Sequence, residues 1–305
     1  MYKPLSILWK FSRPHTIIGS TISIVVLWLM ALEKMTYEAH LPLLFWTLLV
    51  GITCNVFIVG LNQIIDIDLD KINKPKLPLA DGSLNISNAY KIILASLVIT
   101  LVVSFLTSPI LGWLIVVILL IGIAYSVPPI QLKKHHLPAA IAITTVRGLL
   151  VNLGMFLHFS YASGQFSMEQ IMQSPLALIP YQIWMLTSFV VAFSIAIAWF
   201  KDLPDTEGDA QFKFNTLAIV YSPKAALYGG VFLIGLAYII TIFWSYALGD
   251  TFLGIFHIIA FMAFMMNVWF VDLRQSKTIT RFYMIFWVFF FLEYISFGID
   301  AINFL

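Results

Sequence analysis

Long apolar runs dominate the chain, and short polar segments punctuate them. Nine runs are long enough to cross roughly 30 Å of hydrocarbon, at about 16–33, 41–62, 89–108, 109–126, 137–158, 180–200, 224–248, 252–271 and 281–301. The third and fourth are parted only by Thr107-Ser108-Pro109, a turn signal inside one apolar block. The pattern predicts an all-α, polytopic transmembrane bundle of nine spans with its termini on opposite membrane faces. Composition agrees, because 61% hydrophobic residues, 10% charged residues and a mean hydropathy of +0.94 lie far outside the soluble range. The chain reads as a single integral-membrane domain over residues 1–305.

Charge adds an orientation. With a cytoplasmic N-terminus, the inside segments hold Lys3, Lys10, Arg13, Lys71, Lys74, Lys76, Lys91, Lys133, Lys134, Lys201, Lys213, Lys224, Arg274, Lys277 and Arg281, against Lys34 alone outside. Positive charge retained inside makes that orientation the expected one. A net charge of +2 spread over short loops gives no patch for nucleic acid. The single cysteine, Cys54, sits in an apolar run and excludes a disulfide framework within the chain. No cleavable signal or transit peptide precedes the first span, which favours a bacterial membrane protein or the mature form of an organelle protein.

Two acid stripes break this apolar background. The first is Asn62-Gln63-Ile64-Ile65-Asp66-Ile67-Asp68-Leu69-Asp70-Lys71, in which Asn62, Asp66 and Asp70 recur at i, i+4, i+8 and share a helix face, drifting about 80° over two turns. The second is Lys201-Asp202-Leu203-Pro204-Asp205-Thr206-Glu207-Gly208-Asp209. Together they hold seven of the 15 acidic residues. Each follows an apolar run, the second and the sixth, so both belong on the cytoplasmic face. That spacing suggests two four-helix halves plus a ninth helix. Either stripe alone reads equally well as a solvated cap. As a pair they read as hard oxygen ligands for Mg²⁺, which takes few protein ligands together with substrate phosphates.

Several other positions carry candidate chemistry. The segment 71–87 reads as a lid over the first stripe or as an ordinary connector, and its Lys71, Lys74 and Lys76 offer charges for phosphates. Lys133 and Lys134 follow Tyr125-Ser126-Val127-Pro128-Pro129 and serve either as topology signals or as diphosphate contacts. His135 and His136 have no carboxylate or cysteine at ligand spacing for zinc. Arg147 is the one basic residue away from the ends of a run; burial there costs about 2.5–3.5 kcal/mol, so it should face a polar cavity and a partner, functional or structural. Arg13, at the entry to the first span, reads as a cavity residue or an anchor.

Facing acid stripes rimmed by cations suit a metal-bridged diphosphate with an isoprenoid tail among the apolar helices. Asn62-x-x-x-Asp66-x-x-x-Asp70 with Asp205-x-x-x-Asp209 resembles the paired aspartate motifs of the UbiA superfamily of intramembrane aromatic prenyltransferases. The resemblance covers essentially the whole chain, including Tyr125-Ser126-x-Pro128-Pro129 and Arg147-Gly148. Ser12-Arg13-Pro14-His15-Thr16, the run from Asp70 to Ala80 and the stretch from Phe200 to Asp209 are similar to homogentisate prenyltransferases, the cyanobacterial phytyl type above all. Gln63 departs from the broader pattern.

The resemblance implies transfer of a prenyl group, phytyl in the nearest type, from its diphosphate to homogentisate with loss of CO₂ and diphosphate, as in tocopherol synthesis. It implies two Mg²⁺ ions, one held by Asn62, Asp66 and Asp70 and the other by Asp202, Asp205 and Asp209. Asp66, Asp70, Asp205 and Asp209 would be the catalytic acids. Arg13, Lys71, Tyr125, Lys133, Lys134, Arg147 and Lys201 would contact diphosphate or acceptor. Pro204 interrupts the second stripe, which leaves Asp202 open to a supporting or capping role. The partners are small-molecule substrates and membrane lipid, and in a cyanobacterial cell the membrane would be plasma or thylakoid. Two alternatives remain at this stage: another donor or acceptor, such as a solanesyl or geranylgeranyl donor and a hydroxybenzoate or chlorophyllide acceptor, or a divalent-cation transporter.

Overall fold

The structure is a computed structural model and describes residues 4–32 and 36–304. Lys3, Lys34 and Leu305 of the charge and topology reading lie outside the described residues. Helices account for the architecture: α1 (Pro4–Phe11), α2 (Pro14–Ala31), α3 (Leu41–Ile65), α4 (Ile67–Asn73), α5 (Ile86–Thr107), α6 (Pro109–Ser126), α7 (His136–Ile143), a π-helical segment (Thr144–Gly154), α8 (Met155–Ala162), α9 (Met168–Gln173), α10 (Tyr181–Phe200), α11 (Thr206–Gln211), α12 (Leu217–Val220), α13 (Pro223–Ala247), α14 (Thr251–Trp269) and α15 (Ser276–Phe304). Among the described residues, nine helical stretches are long and apolar enough to cross a membrane, and they match the nine expected runs. The fifth is the continuous rod from α7 through the π segment to α8.

Local sequence explains where these rods start. Ser108 accepts a hydrogen bond from the Leu111 amide and Pro109 opens the helix, which turns one apolar block into α5 and α6. Ser222 with Pro223 does the same for α13, and Asp250 caps α14. Helices satisfy their own backbone, the condition for crossing hydrocarbon. Their outward side chains, among them Leu106, Trp113, Phe232, Phe243 and Trp269, are exposed and apolar, as a lipid-facing surface requires.

The spans pack as a closed ring. Contacts run from α2 to α3, α3 to α5, α5 to α6, α6 to the π segment, the π segment to α10, then α13, α14 and α15, and α15 returns to α2. On the division expected from the sequence, the acid stripes end the second span of each half. The most buried span is α10, which carries the second stripe at its end. Its Phe193 stacks on Phe286 with ring centroids 4.2 Å apart, and Phe200 meets Phe282 and Phe286 edge-on. Gly230 on α13 receives the Phe200 ring so closely that a Cβ there would collide with it. Packing of this kind fixes the end of α10, and with it the start of the second stripe.

Candidate active site

Neither acid stripe lies on one unbroken helix. Asp66 adopts φ −104°, ψ 17°, which closes α3 and opens α4, though the Asp66 and Asp70 amides still bond to the Asn62 and Asp66 carbonyls. The i, i+4, i+8 register therefore survives the break. Asp66 and Asp70 are buried, whereas Asp68 points out and pairs with Lys71 at 2.8 Å on the exposed side of α4. The second stripe bends more sharply. α10 stops at Phe200, residues 201–204 turn, and Asp205 stands at the N-terminus of α11. Proline at 204 cannot donate to a helix, so a turn and not a helix relates Asp202 to Asp205, closed by the Asp205 amide on the Asp202 carbonyl at 3.3 Å.

The two stripes nevertheless meet. Asn73, the last residue of α4, donates to Asp209 Oδ1 at 3.1 Å and accepts from the Gly208 amide at 3.0 Å. Lys74, next in the chain, pairs with Asp205. A Cβ on Gly208 would overlap the Asn73 amide, so the close approach of α4 and α11 requires glycine there. In the sequence Asn73 signals no role, and Lys74 reads only as a loop charge. The signal available was the Asn73-Lys74-Pro75 triplet ending a helix opposite a Gly-Asp pair.

Four of the five buried acids of the two stripes carry a cation. Lys133 Nζ lies 2.6 and 2.5 Å from the two oxygens of Asp66, Lys201 Nζ lies 2.5 Å from Asp202 Oδ1, Lys74 holds Asp205, and Arg13 Nη2 stands 3.9 Å from Asp70 Oδ2. Arg13 reaches Asp70 from a left-handed backbone, φ 52°, in the turn between α1 and α2. A non-glycine residue there is strained, and such strain gathers at functional sites. Its Nε and Asp70 Oδ2 are buried without a hydrogen bond. Asp209 has Asn73 instead of a cation. Burial, with the nearby Asp202 and Asp205 charges, pushes its carboxyl up to about 7. Burial also raises Asp70 against the pull of Arg13 and Lys74. Lys201 is held well above the usual lysine value, because the charge and hydrogen bond of Asp202 outweigh burial.

The remaining candidates divide. Asn62 donates to Ser126 Oγ at 3.3 Å, joining α3 to the end of α6. Gln63 is buried and donates to the Phe11 carbonyl at 2.6 Å, which anchors α1. Tyr125 is half-buried within electrostatic range of both Lys201 and Arg147. Lys134 sits 5.9 Å from the Phe214 ring centroid, and its carbonyl accepts from Asn215. Lys71, paired outward with Asp68, does not join the cluster. Arg147 has no ion pair among the described residues; its guanidinium lies over Trp287 at 4.6 Å and Phe290 at 5.4 Å.

Among the described residues no three His, Cys, Asp or Glu side chains converge tightly enough to hold a metal ion unaided. The donor set still fits a hard divalent cation shared with phosphate: paired carboxylates, one buried oxygen without a hydrogen bond, and amines able to turn from carboxylate to phosphate.

Comparisons with known proteins identify the family and the fold. A profile described as the UbiA prenyltransferase family matches residues 22–291. Homogentisate phytyltransferase of Synechocystis is 38% identical over 94% of this chain and 92% of its own. Homogentisate solanesyltransferase of Arabidopsis thaliana is 33% identical over 95% of this chain and 75% of its own. Among solved structures, a UbiA homolog from Archaeoglobus fulgidus bound to DMAPP and Mg²⁺ has a TM-score of 0.64 at 15% identity, covering 98% of this chain and 99% of its own. An apo UbiA homolog from Aeropyrum pernix has a TM-score of 0.69 at 17% identity, covering 96% and 98%. With the family profile matching most of its length and its own paired acids joined at the ends of α3 and α10, the chain belongs to the UbiA prenyltransferase family.

Proposed function

We propose that this protein is a Mg²⁺-dependent homogentisate prenyltransferase. It moves a prenyl group, phytyl by likeness to the Synechocystis relative, onto homogentisate to give a methyl-prenyl-benzoquinol for tocopherol synthesis. The observation that carries the reading is the union of the two acid stripes through Asn73.

Asn62, Asp66 and Asp70 would hold one ion and Asp202, Asp205 and Asp209 a second. Bound Mg²⁺ supplies Lewis-acid neutralisation of the diphosphate, making it a leaving group. Lys133, Lys74, Lys201 and Arg13 sit on the acids now and are placed to receive diphosphate oxygens once those acids are engaged. The C–O bond of the donor breaks with its electron pair on diphosphate, and a ring carbon of the electron-rich hydroquinone bonds to the allylic carbon. That ring carbon loses a proton. The acetate releases CO₂, and its methylene takes up one proton, so proton and charge balance.

The distribution of Lys and Arg supports a cytoplasmic N-terminus and site in one integral-membrane domain. A divalent-cation transporter would carry its acids at mid-membrane on broken spans, whereas these acids lie at span ends. Membranes holding the protein, given labelled homogentisate, Mg²⁺ and a panel of phytyl, geranylgeranyl and solanesyl diphosphates, should form a prenylated, decarboxylated quinol. No product with any donor overturns the reading.

A further inference from the structure

Beneath the acid cluster lies a cavity of about 200 Å³ inside the ring of helices, lined among others by Thr16, Ser20, Asn55, Arg147, Trp287 and Phe290. Asn55 stands two turns below Asn62 on α3, about 10 Å deeper at the helical rise. His15 relates the cavity to the cluster: its ring is 4.9 Å from Trp287 of the cavity wall and within electrostatic range of Arg13, Lys74 and Arg147. Its polar wall is built. Thr16 donates to Asn55 Oδ1 at 3.0 Å, and Asn55 donates to Ser20 Oγ at 3.1 Å, leaving the Ser20 hydroxyl proton free to donate.

Arg147 is the charged member of this wall. It projects from the π-helical segment, a geometry frequent at functional sites. Trp287 and Phe290 rings pack against the guanidinium, and Nη1 is buried with no hydrogen-bond partner. A buried charged donor without an acceptor is costly in hydrocarbon surroundings. The edges left free by the rings are those that bind a carboxylate in a planar fork.

We infer that Arg147 seats the carboxylate of the aromatic acceptor, with the acceptor ring in the cavity; this rests on the proposed transfer to an aromatic acid. Two other occupants fit less well. A diphosphate needs several cations, which stand at the acid cluster, and the cavity has one. An isoprenoid tail would fill the space and leave Nη1 without an acceptor. Size agrees with a single ring, since a protein cavity of about 150 Å³ holds benzene. Ser20 is then available to a ring oxygen.

The test is equilibrium binding of labelled homogentisate to the purified protein, beside its neutral amide, with wild type, Arg147→Gln and Arg147→Lys. Wild type should bind the acid about 10- to 100-fold more tightly than the amide, the range expected for a hydrogen bond to a charged group. Arg147→Gln should remove that preference, and Arg147→Lys should restore part of it. Equal affinity of wild type for acid and amide overturns the assignment without any variant, so a misfolded Arg147→Gln protein does not shelter it. Unchanged acid binding in a folded Arg147→Gln protein overturns it too, while prenyl transfer by wild type would still stand. Charge-selective binding through Arg147 without prenyl transfer by wild type keeps the seat and removes the reaction.

Discussion

Asn73 bonds Gly208 and Asp209 with the two ends of one amide, so a single side chain joins the helix that ends the first acid stripe to the helix that carries the second. Replacing it with alanine removes both bonds but touches no reacting atom. Asn73→Ala should lower kcat/KM for the prenyl diphosphate at least about tenfold, as misplacement of a catalytic group by a fraction of an ångström does. Gly208→Ala should match it by pushing the Asn73 amide away. Steady-state kinetics on both variants, with wild-type rates in either, would remove the clasp from the mechanism.

Asp66 and Lys133 make a second, sharper test. Asp66→Ala should cut turnover at least about 100-fold, the scale for losing a group that stabilises transition-state charge. It also strands the buried Lys133 ammonium, and breaking one side of a buried pair costs about 3–5 kcal/mol. Thermal melting should therefore fall in Asp66→Ala and recover in the double variant with Lys133→Ala, while activity stays lost in both. Recovery of activity along with stability would show that Asp66 is a structural partner only. Asp205→Ala should lose turnover similarly.

The raised Asp209 carboxyl sets a pH dependence. Its value of about 7 in the folded protein exceeds the ordinary 3.8, so between those values the folded state binds more protons than the unfolded one. Stability from this group is present below about pH 4 and is lost as pH rises toward 7. In Mg²⁺-free buffer the melting temperature should drop over that window. Asp209→Asn should flatten the drop and melt higher than wild type at pH 8, though Asp70, shifted the same way, leaves a residual slope. A variant that melts lower than wild type at pH 8 contradicts the assignment.

Metal and donor affinities should be linked. A non-hydrolysable prenyl diphosphate analogue should tighten Mg²⁺ binding, and Mg²⁺ should tighten the analogue by the same factor. Inorganic diphosphate should couple less strongly, since it lacks the tail. Calorimetry showing Mg²⁺ affinity indifferent to the analogue, with Mg²⁺ crossing sealed vesicles, would establish a transporter instead.

Topology has its own check. A reporter inserted in the 71–87 segment should lie in the cytoplasm, and one fused after residue 305 on the opposite side. Both on one side would contradict nine crossings.

Much of the fold was legible because hydrocarbon imposes it: a span must be a long apolar helix, and Thr107-Ser108-Pro109 marks the division of the longest block through the Ser108 cap. The acids were legible because charge at the end of an apolar run is rare. What was not legible was pairing across the chain. Nothing local to Lys133 says that it sits on Asp66, 67 positions away, while Lys71 beside the stripe turns outward to Asp68. Helical spacing is a sound guide through Asp66, where the helical bonds continue; between Asp202 and Asp205 a turn around Pro204 replaces the helix, held by the Asp205 amide on the Asp202 carbonyl. For Arg147 the cost of burial pointed to a partner, and the structure supplied aromatic rings in place of a carboxylate.

The matching of Lys133, Lys201, Lys74 and Arg13 to four buried acids has a kinetic meaning. A cluster whose charges cancel at close range projects little field beyond a Debye length, so it cannot draw a distant anion toward it as a strongly charged cleft does. Capture of the donor should then depend only weakly on ionic strength. The apolar tail makes long-range attraction unnecessary: a molecule already dissolved in the bilayer searches a thin sheet, and lateral diffusion, not electrostatic steering, sets how often a diphosphate arrives beneath these lysines.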